Sequence, residues 1–380
     1  MIAFSRPAAF EAEGEYLTQA RESHTPWGGG SFYARASEQL GSMHRVNDVL
    51  LTQSCTAALE LAALGLDIGP GDEVIIPSYT FVTTASAFAL RGAKIVFADS
   101  EPDTLNIDVS KIESLITSRT KAIVAVHYGG VACDMDEIMA IASRHGLAVV
   151  EDAAQAIGSS YKGRPLGSIG DLGCLSFHGT KNISSGEGGA LLVNTTDEDV
   201  IDRIHTAHEK GTDRAKFLRG EVDRYTWRKL GSSFIPSEFT CAVLLAQLQN
   251  QALIQSRRRS SWDGYVETLG EARQSGFRWL KQDVTGSNLH MFALIAPDAQ
   301  AREELRKGLR EKGITATSHY EPLHESPFAT SQDWPRLPAP IAQNLSERIL
   351  RLPLWSEDGL DVELIGSEIV SFLQSKKGSK

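Results

Sequence analysis

The chain has 380 residues, 42% hydrophobic and 23% charged, with a formal charge of −10. That size suits a globular enzyme with a large core and room for two domains, and the negative charge argues against non-specific nucleic-acid binding. No apolar run approaches the roughly 18 residues of a membrane span. Met1 to Pro7 lacks the basic start and apolar run of a secretory signal, so a cytoplasmic protein is expected.

The run Trp27-Gly28-Gly29-Gly30-Ser31 lacks the last glycine of a dinucleotide fingerprint and follows no strand, which counts against a dehydrogenase. From residue 50 to 195, apolar runs alternate with amphipathic stretches. Val74-Ile75-Ile76, Ile95-Val96-Phe97, Ala122 to Val126 and Leu147 to Val150 recur at βα spacing. Near-continuous apolar strands imply a parallel sheet covered on both faces. Leu172 to Phe177 and Gly189 to Val193 are too close for a helical crossover, so a loop joins them and one runs antiparallel. From Ser237, an N-cap, a helical stretch runs through Ala246 and Leu253. A strand near Met291 to Ile295, a helix from Ala299 to Lys312 stopped by Gly313, and a polar tail from Gln374 to Lys380 complete the pattern. The expected architecture is α/β: a large domain with a mostly parallel sheet over residues 1–250 and a smaller C-terminal α+β domain over 251–380. Cys55, Cys133, Cys174 and Cys241 are far apart, form no CxxC, and are read as free thiols.

Three clusters carry chemistry. Ser54-Cys55-Thr56-Ala57-Ala58 opens a helical run, where hydroxyls and free N–H groups can receive a phosphate; an N-cap alone also explains it. Val149-Val150-Glu151-Asp152-Ala153-Ala154-Gln155 ends a strand in acids, at the position that faces a ligand crevice. There Asp152 can pair with a protonated ring nitrogen and Gln155 can bond the same ligand, or Asp152 can be a helix N-cap. Ser176-Phe177-His178-Gly179-Thr180-Lys181 sets a lysine on a tight loop hemmed by small residues, which suits a Schiff-base nucleophile. A lone lysine is ordinarily a solvated one. A phosphate cup, an acid for a pyridine nitrogen and a lysine, in this order, make the parts of a site for pyridoxal 5′-phosphate (PLP).

These blocks, with Pro70 to Ser78 and Ser184 to Gly189, resemble the DegT/DnrJ/EryC1/StrS family of PLP-dependent sugar aminotransferases, a branch of the aspartate-aminotransferase (type I) fold. Matching stretches run from about residue 24 to 355. Pro77 to Val82, His127 to Cys133, Glu209 to Thr212, Arg224 to Arg228, Gly231 to Ser233 and His319 to His324 further resemble the branch that aminates C4 of a dTDP-linked 4-keto-6-deoxy sugar with L-glutamate as donor, for cell-surface polysaccharide such as lipopolysaccharide or enterobacterial common antigen.

The resemblance implies that Lys181 is the catalytic lysine, that Asp152 keeps the pyridine nitrogen protonated and that Gln155 contacts the ring hydroxyl. It also implies that Phe81 stacks on the ring and that Cys55, Thr56 and Ser176 hold the phosphate. The family borrows an asparagine from the partner of a homodimer in a Gly-x-Asn pattern; here Gly231-Ser232-Ser233 puts Ser233 in that place. Between Lys210 and Leu230 stand seven basic and three acidic residues, either a patch for the sugar diphosphate, with Arg219 and Arg228 as contacts, or a solvated loop. His319 and Tyr320 are further candidates for substrate contact; the spacing of His319 and His324 is poor for zinc, and no metal is expected. Lys181 argues against the related sugar 3-dehydratases, which carry histidine there. A gluco product, a UDP- or GDP-linked substrate, and a non-catalytic regulator on the same fold are the alternatives.

Overall fold

In the computed structural model, which describes residues 1–282 and 285–377, a seven-stranded sheet organises residues 48–193. The last three residues of the polar tail lie outside the described residues. The strands are β1 (Asp48–Thr52), β2 (Glu73–Pro77), β3 (Lys94–Ala98), β4 (Thr120–Val126), β5 (Ala148–Asp152), β8 (Leu172–Ser176) and β9 (Gly189–Val193). A two-stranded ribbon, β6 (Ser160–Tyr161) with β7 (Arg164–Pro165), intervenes in the chain between β5 and β8. The spatial order is β1-β9-β8-β5-β4-β2-β3. β9 alone runs against the rest, antiparallel to both β1 and β8; the other pairings are parallel. The four apolar runs are thus β2 to β5, and the short gap after β8 produces the antiparallel return.

Both faces of this sheet are buried. In β2, Val74 and Ile76 pack with Leu59, Leu61 and Phe88, whereas Ile75 packs with Ile123, Ile138 and Val149. Successive side chains point to opposite faces, so a strand buried on both reads as a near-continuous apolar run.

A second sheet, β10 (Arg278–Trp279), β11 (Phe292–Ile295) and β12 (Ile349–Leu352), is antiparallel. Tyr265, Phe292, Leu305, Leu350 and Ile365 join it to the helices Gln251–Thr268, Ala299–Glu311 and Val362–Lys377 in a separate core. The helix expected to run unbroken through Leu253 is two helices, Glu238–Gln249 and Gln251–Thr268, meeting at Asn250. The Asn250 side chain donates to the Ala246 carbonyl, satisfying an acceptor that the end of the first helix leaves open. Ser237 caps that first helix as expected, accepting from Thr240 N–H. Glu238 has a second task. Its carboxylate accepts from the N–H groups of Gly30, Phe32 and Tyr33, so the glycine run is the start of the helix Ser31–His44, held by an acid from another helix. Among the described residues no helix is long and apolar enough to cross a membrane.

Gly189, at the start of β9, lets the helix Cys55–Gly65 reach the sheet. A Cβ there would lie 2.3 Å from the Ser54 carbonyl carbon and 2.5 Å from Cys55 N, both backbone atoms with little freedom to yield. Gly189→Ala should therefore destabilise the fold by about 1–3 kcal/mol, the usual cost of overpacking, and weaken cofactor retention by displacing the helix start. Urea unfolding and cofactor release on dialysis check both effects; a variant with wild-type values in each would show that this approach is not needed.

Candidate active site

The carboxyl ends of the parallel strands share one edge of the sheet, and the antiparallel β9 begins there. Ser54 to Thr56 follow β1, Phe81 follows β2, His127 follows β4, Asp152 closes β5, Ser176 closes β8, and Gly188 precedes β9. All line one cavity of about 390 Å³, together with Lys181, Gln155, His290, His319, Tyr320 and Arg351. Ligands of open parallel sheets bind at this edge because the loops diverge there and leave a crevice.

One end of the cavity suits a phosphate. The helix Cys55–Gly65 begins at the cavity wall, and Ser54 Oγ caps it by accepting from Ala57 N–H at 3.1 Å. The first N–H groups of a helix have no intrahelical acceptor, and its dipole favours an anion there. The hydroxyls of Thr56 and Ser176 line the same wall.

Asp152 is 6% exposed, and among the described residues no cation lies within ion-pair distance of it. One carboxylate oxygen accepts from Thr84 Oγ1 at 2.7 Å and the other from Ala154 N–H at 3.2 Å. The residues after it form turns and no helix, so the N-cap alternative is not what the fold contains. A buried carboxylate left without a cation is costly unless a ligand brings positive charge, and a protonated pyridine nitrogen meets that need. Thr84 was not legible in the sequence: it occupies the first turn of the helix Val82–Ala89, and only that helix's placement against β5 brings it to Asp152.

Lys181 stands on a turn that is closed by hydrogen bonds from Lys181 N–H to the His178 carbonyl and from Gly179 N–H to the Gly186 carbonyl. Burial lowers its pKa from the usual lysine value; Cys55 and Asp152 oppose the shift, and Arg351 adds to it. A larger fraction of free amine results, which a nucleophile requires. Cys55 is a free, half-buried thiol whose pKa burial pushes up, so it serves the wall as a thiol and not as a thiolate. Phe81, 52% exposed, precedes its helix and presents its ring at the cavity mouth. Gln155 accepts from Gly129 N–H at 2.7 Å and donates to Tyr320 Oη at 3.1 Å. These residues fit PLP: a helix start for the phosphate, an unpaired acid for the ring nitrogen, and an amine with a lowered pKa.

Behind them, His127 Nδ1 accepts from Cys133 N–H, so Nε2 carries the proton and donates to Glu151 at 2.8 Å. Glu151 also accepts from the N–H groups of Gly167, Ile169 and Gly170. Desolvation opposes its charge, yet the His127 bond and these N–H groups hold its pKa below the ordinary carboxylate value. The pair ties the ends of β4 and β5 to the loop before β8 and so fixes the strand end that presents Asp152.

The remaining wall comes from the second sheet. His290 precedes β11; its Nδ1 meets Asn182 Oδ1 at 2.9 Å, while Asn182 Nδ2 donates to the Asn288 carbonyl. His319 and Tyr320 stack with ring centroids 3.8 Å apart, and Arg351 lies on β12. Neither His290 nor Arg351 carried any signal in the sequence. Three expected contacts stand elsewhere. Arg219 pairs with Glu221 at 2.6 Å, Arg228 with Asp213 at 2.6 Å, and exposed Ser233 bridges its backbone to Glu209; none lines this chain's cavity.

Residues 8–363 match the DegT/DnrJ/EryC1/StrS aminotransferase family. The chain belongs to that family. It is 37% identical over 340 residues to the spore coat polysaccharide biosynthesis protein SpsC of Bacillus subtilis, covering 85% of this chain and 84% of that protein. It is 33% identical over 349 residues to the GDP-perosamine synthase of Escherichia coli O157:H7, covering 92% of each. The fold superposes on the putative sugar aminotransferase Spr1654 of Streptococcus pneumoniae in its PMP form with a TM-score of 0.90, 26% identity, and coverage of 99% of this chain and 100% of that one. This DegT-family protein is therefore a PLP-dependent sugar-nucleotide aminotransferase on the type I fold.

With Lys181 as the amine that anchors the cofactor, borohydride treatment of the holoenzyme should leave cofactor mass on the peptide containing Lys181. Lys181→Ala should lose that label and retain less than about a hundredth of wild-type turnover. Peptide mass spectrometry with steady-state kinetics makes the check; a label on another lysine would relocate the nucleophile.

Proposed function

We propose that this enzyme moves the amino group of L-glutamate to C4 of dTDP-4-keto-6-deoxyglucose, giving dTDP-4-amino-4,6-dideoxygalactose and 2-oxoglutarate. The observation that carries an aminotransferase reading is the convergence of Lys181, Asp152 and the start of the helix Cys55–Gly65 on one cavity. The narrower substrate rests on the sequence blocks Pro77 to Val82, His127 to Cys133 and His319 to His324, each of which supplies at least one cavity residue.

PLP, when bound, supplies the carbonyl that carries the amino group between substrates and a ring that takes up electron density from the reacting carbon. In this reading the chain's residues divide the remaining work. The helix start, Thr56 and Ser176 bind the phosphate and set the register of the ring. Asp152 holds the proton on the ring nitrogen, and the Thr84 hydrogen bond keeps that carboxylate oriented. Lys181 Nζ takes the proton from Cα of glutamate in the first half-reaction and delivers one to C4 of the sugar in the second. Phe81 covers the exposed face of the ring, and Gln155, held by Gly129 and Tyr320, supports its edge. The enzyme works in the cytoplasm, a compartment that suits four free thiols.

A homodimer with shared sites belongs to the same proposal. Ser233 is exposed and outside its own cavity, and Tyr225, Trp227 and Leu230 beside it are large exposed side chains, 51%, 74% and 60% accessible. A second subunit covering that surface would bring Ser233 to its neighbour's phosphate. Exposed Arg219 and Arg228 make ion pairs with Glu221 and Asp213 and lie outside this chain's cavity. Mixing inactive Lys181→Ala subunits with subunits inactivated by Ser233→Trp should restore up to about a quarter of wild-type activity, since half the dimers then carry one intact site. No recovery after verified subunit exchange would confine each site to one chain.

The relationship to a GDP-perosamine synthase supports a second reading, a GDP-linked keto-sugar as acceptor. Incubation of the holoenzyme with glutamate and the dTDP-, GDP- or UDP-linked 4-keto-6-deoxy sugar, followed by proton NMR of the product, separates the two. The expected result is turnover of the dTDP sugar and a small H3–H4 coupling, as an axial C4 amine requires. A large coupling would mean the gluco product, and turnover of the GDP sugar alone would establish the second reading.

A further inference from the structure

His290 is a buried imidazole that turns one bare nitrogen into the active-site cavity. It is 5% exposed and lines the cavity with Lys181, on the wall built by the small sheet. The hydrogen bonds around it leave a single tautomer. The Asn288 carbonyl can only accept, so Asn182 turns Nδ2 towards it, at 3.0 Å, and Oδ1 towards His290. Oδ1 can only accept in turn, so His290 Nδ1 carries the proton and donates it at 2.9 Å. Nε2 is left with a lone pair that no group among the described residues fills, and it is open to the cavity. Burial and the nearby charges of Lys181, Arg258 and Arg351 hold the His290 pKa well below the usual imidazole value, so the ring stays neutral.

The backbone that carries this ring is held in an uncommon shape. Leu289, next to it, has a φ of +51°, in the left-handed region that a leucine rarely enters. Its N–H group donates to Ser287 Oγ at 3.1 Å. The buried Arg258 guanidinium donates to the carbonyls of both Leu289 and His290. A strained residue persists only where its surroundings over-determine it, and such residues gather at ligand sites. Side chain and backbone of His290 are therefore both fixed, and the one group left over is Nε2.

A fixed, neutral acceptor selects its ligand by the hydrogen that the ligand brings. Phosphate and carboxylate oxygens carry lone pairs only and cannot bond to it. The donor's amine is the group that reacts at Lys181. The nucleobase is separated from the reacting carbon by the sugar ring and two phosphates. What remains is a sugar hydroxyl, and because Lys181 lines the same cavity, it is one close to the carbon that reacts. In a 4-keto-6-deoxy sugar the keto carbon has one neighbour that bears a hydroxyl, C3. We propose that His290 Nε2 accepts the hydrogen bond of the C3 hydroxyl and so selects an acceptor sugar with a hydroxyl beside its keto carbon. The inference rests on the 4-keto sugar of the proposed function and adds the residue that reads the sugar ring.

The 3-deoxy analogue of the 4-keto-6-deoxy sugar, on the same nucleotide, is the probe. Wild-type holoenzyme should convert it with a kcat/KM roughly 5- to 150-fold below that of the parent sugar, since the buried Nε2 is then left unpaired. Equal values for the two sugars would overturn the assignment. The missing hydroxyl also alters the ketone itself, but that effect is common to every variant. His290→Phe should therefore narrow the gap between the sugars by a similar factor, and His290→Gln, whose Oε1 can stand in for Nε2, should keep part of it. A gap unchanged in His290→Phe would overturn the role. In that variant, stopped-flow measurement should show the sugar half-reaction slowed more than the glutamate half-reaction. Equal slowing of both would make His290 a support for Asn182 and Lys181, and would also overturn it. A wild type that consumes glutamate but converts no 4-keto-6-deoxy sugar would remove the proposed substrate, and this inference with it. Turnover of the parent sugar without preference over the analogue removes the role of His290 alone. Because the variants could fail to fold, wild-type holoenzyme crystallised with the aminated sugar nucleotide supplies an independent test. The C3 hydroxyl is expected within hydrogen-bond reach of His290 Nε2, and a different hydroxyl or a water there would refute the assignment.

Discussion

A charge taken out of water must be met by another charge or by a full set of hydrogen bonds, and the cavity of this protein is organised around two charges that the chain itself does not neutralise. Asp152 has a hydroxyl and one N–H group; Arg351 has an imidazole nitrogen and an aromatic face. Both line the same cavity. Elsewhere the same fold pairs its buried charges closely: Glu73 has Arg119 and Thr117, Glu151 has His127 and three N–H groups, and Glu238 has three N–H groups of a helix start. The contrast between acids that are satisfied within the protein and the two cavity charges that are not marks the functional site more sharply than the cavity's shape does.

The sheet makes this arrangement possible. Parallel strands deliver their carboxyl ends to one edge, so residues far apart in the chain, from Ser54 to Ser176, meet without any of them being neighbours in sequence. The antiparallel β9 brings Gly188 and Gly189 to the same edge, and the missing side chain at Gly189 allows the helix Cys55–Gly65 to begin close to the strand. The second sheet contributes the opposite wall. Asn288 joins the two parts: its side chain donates to the Gln155 and Ile157 carbonyls, and its own carbonyl accepts from Asn182, next to Lys181. A shift of the small sheet is therefore felt beside the lysine, which gives substrate binding on one wall a route to the chemistry on the other.

The half of the site carried by continuous motifs was legible in the sequence. Ser54 to Ala58, Glu151 to Gln155 and Ser176 to Lys181 each lie where a strand ends, so local pattern alone places them at the sheet edge. The strands β2 to β5 were equally legible, because burial on both faces leaves each a continuous apolar run, with polar residues only towards the strand ends. What could not be read are residues whose meaning comes only from packing. Thr84 looks like any helix residue until its helix is laid against β5. His290 and Arg351 are isolated in polar-apolar surroundings with no spacing to a partner, and the break at Asn250 has neither glycine nor proline to announce it. In the basic segment, Arg219 and Arg228 lie beside Glu221 and Asp213, which the local charge excess does not reveal. A count of charges cannot tell a neutralised arginine from an available one; the geometry of its neighbours can.

That distinction bears on how one cavity serves two unlike substrates in turn. A dicarboxylate amino acid and a nucleotide-linked sugar share little beyond the carbon that exchanges its amine, so a wall rigidly complementary to one would exclude the other. His319 and Tyr320 line the cavity with Tyr79 and Tyr128 packed behind them, and this wall is uncharged, with the tyrosine hydroxyls kept protonated by burial and His319 kept neutral. Such groups can donate or accept and can bond sugar hydroxyls as readily as a carboxylate. In the proposed reaction the chemistry at Lys181 and Asp152 stays the same for both halves.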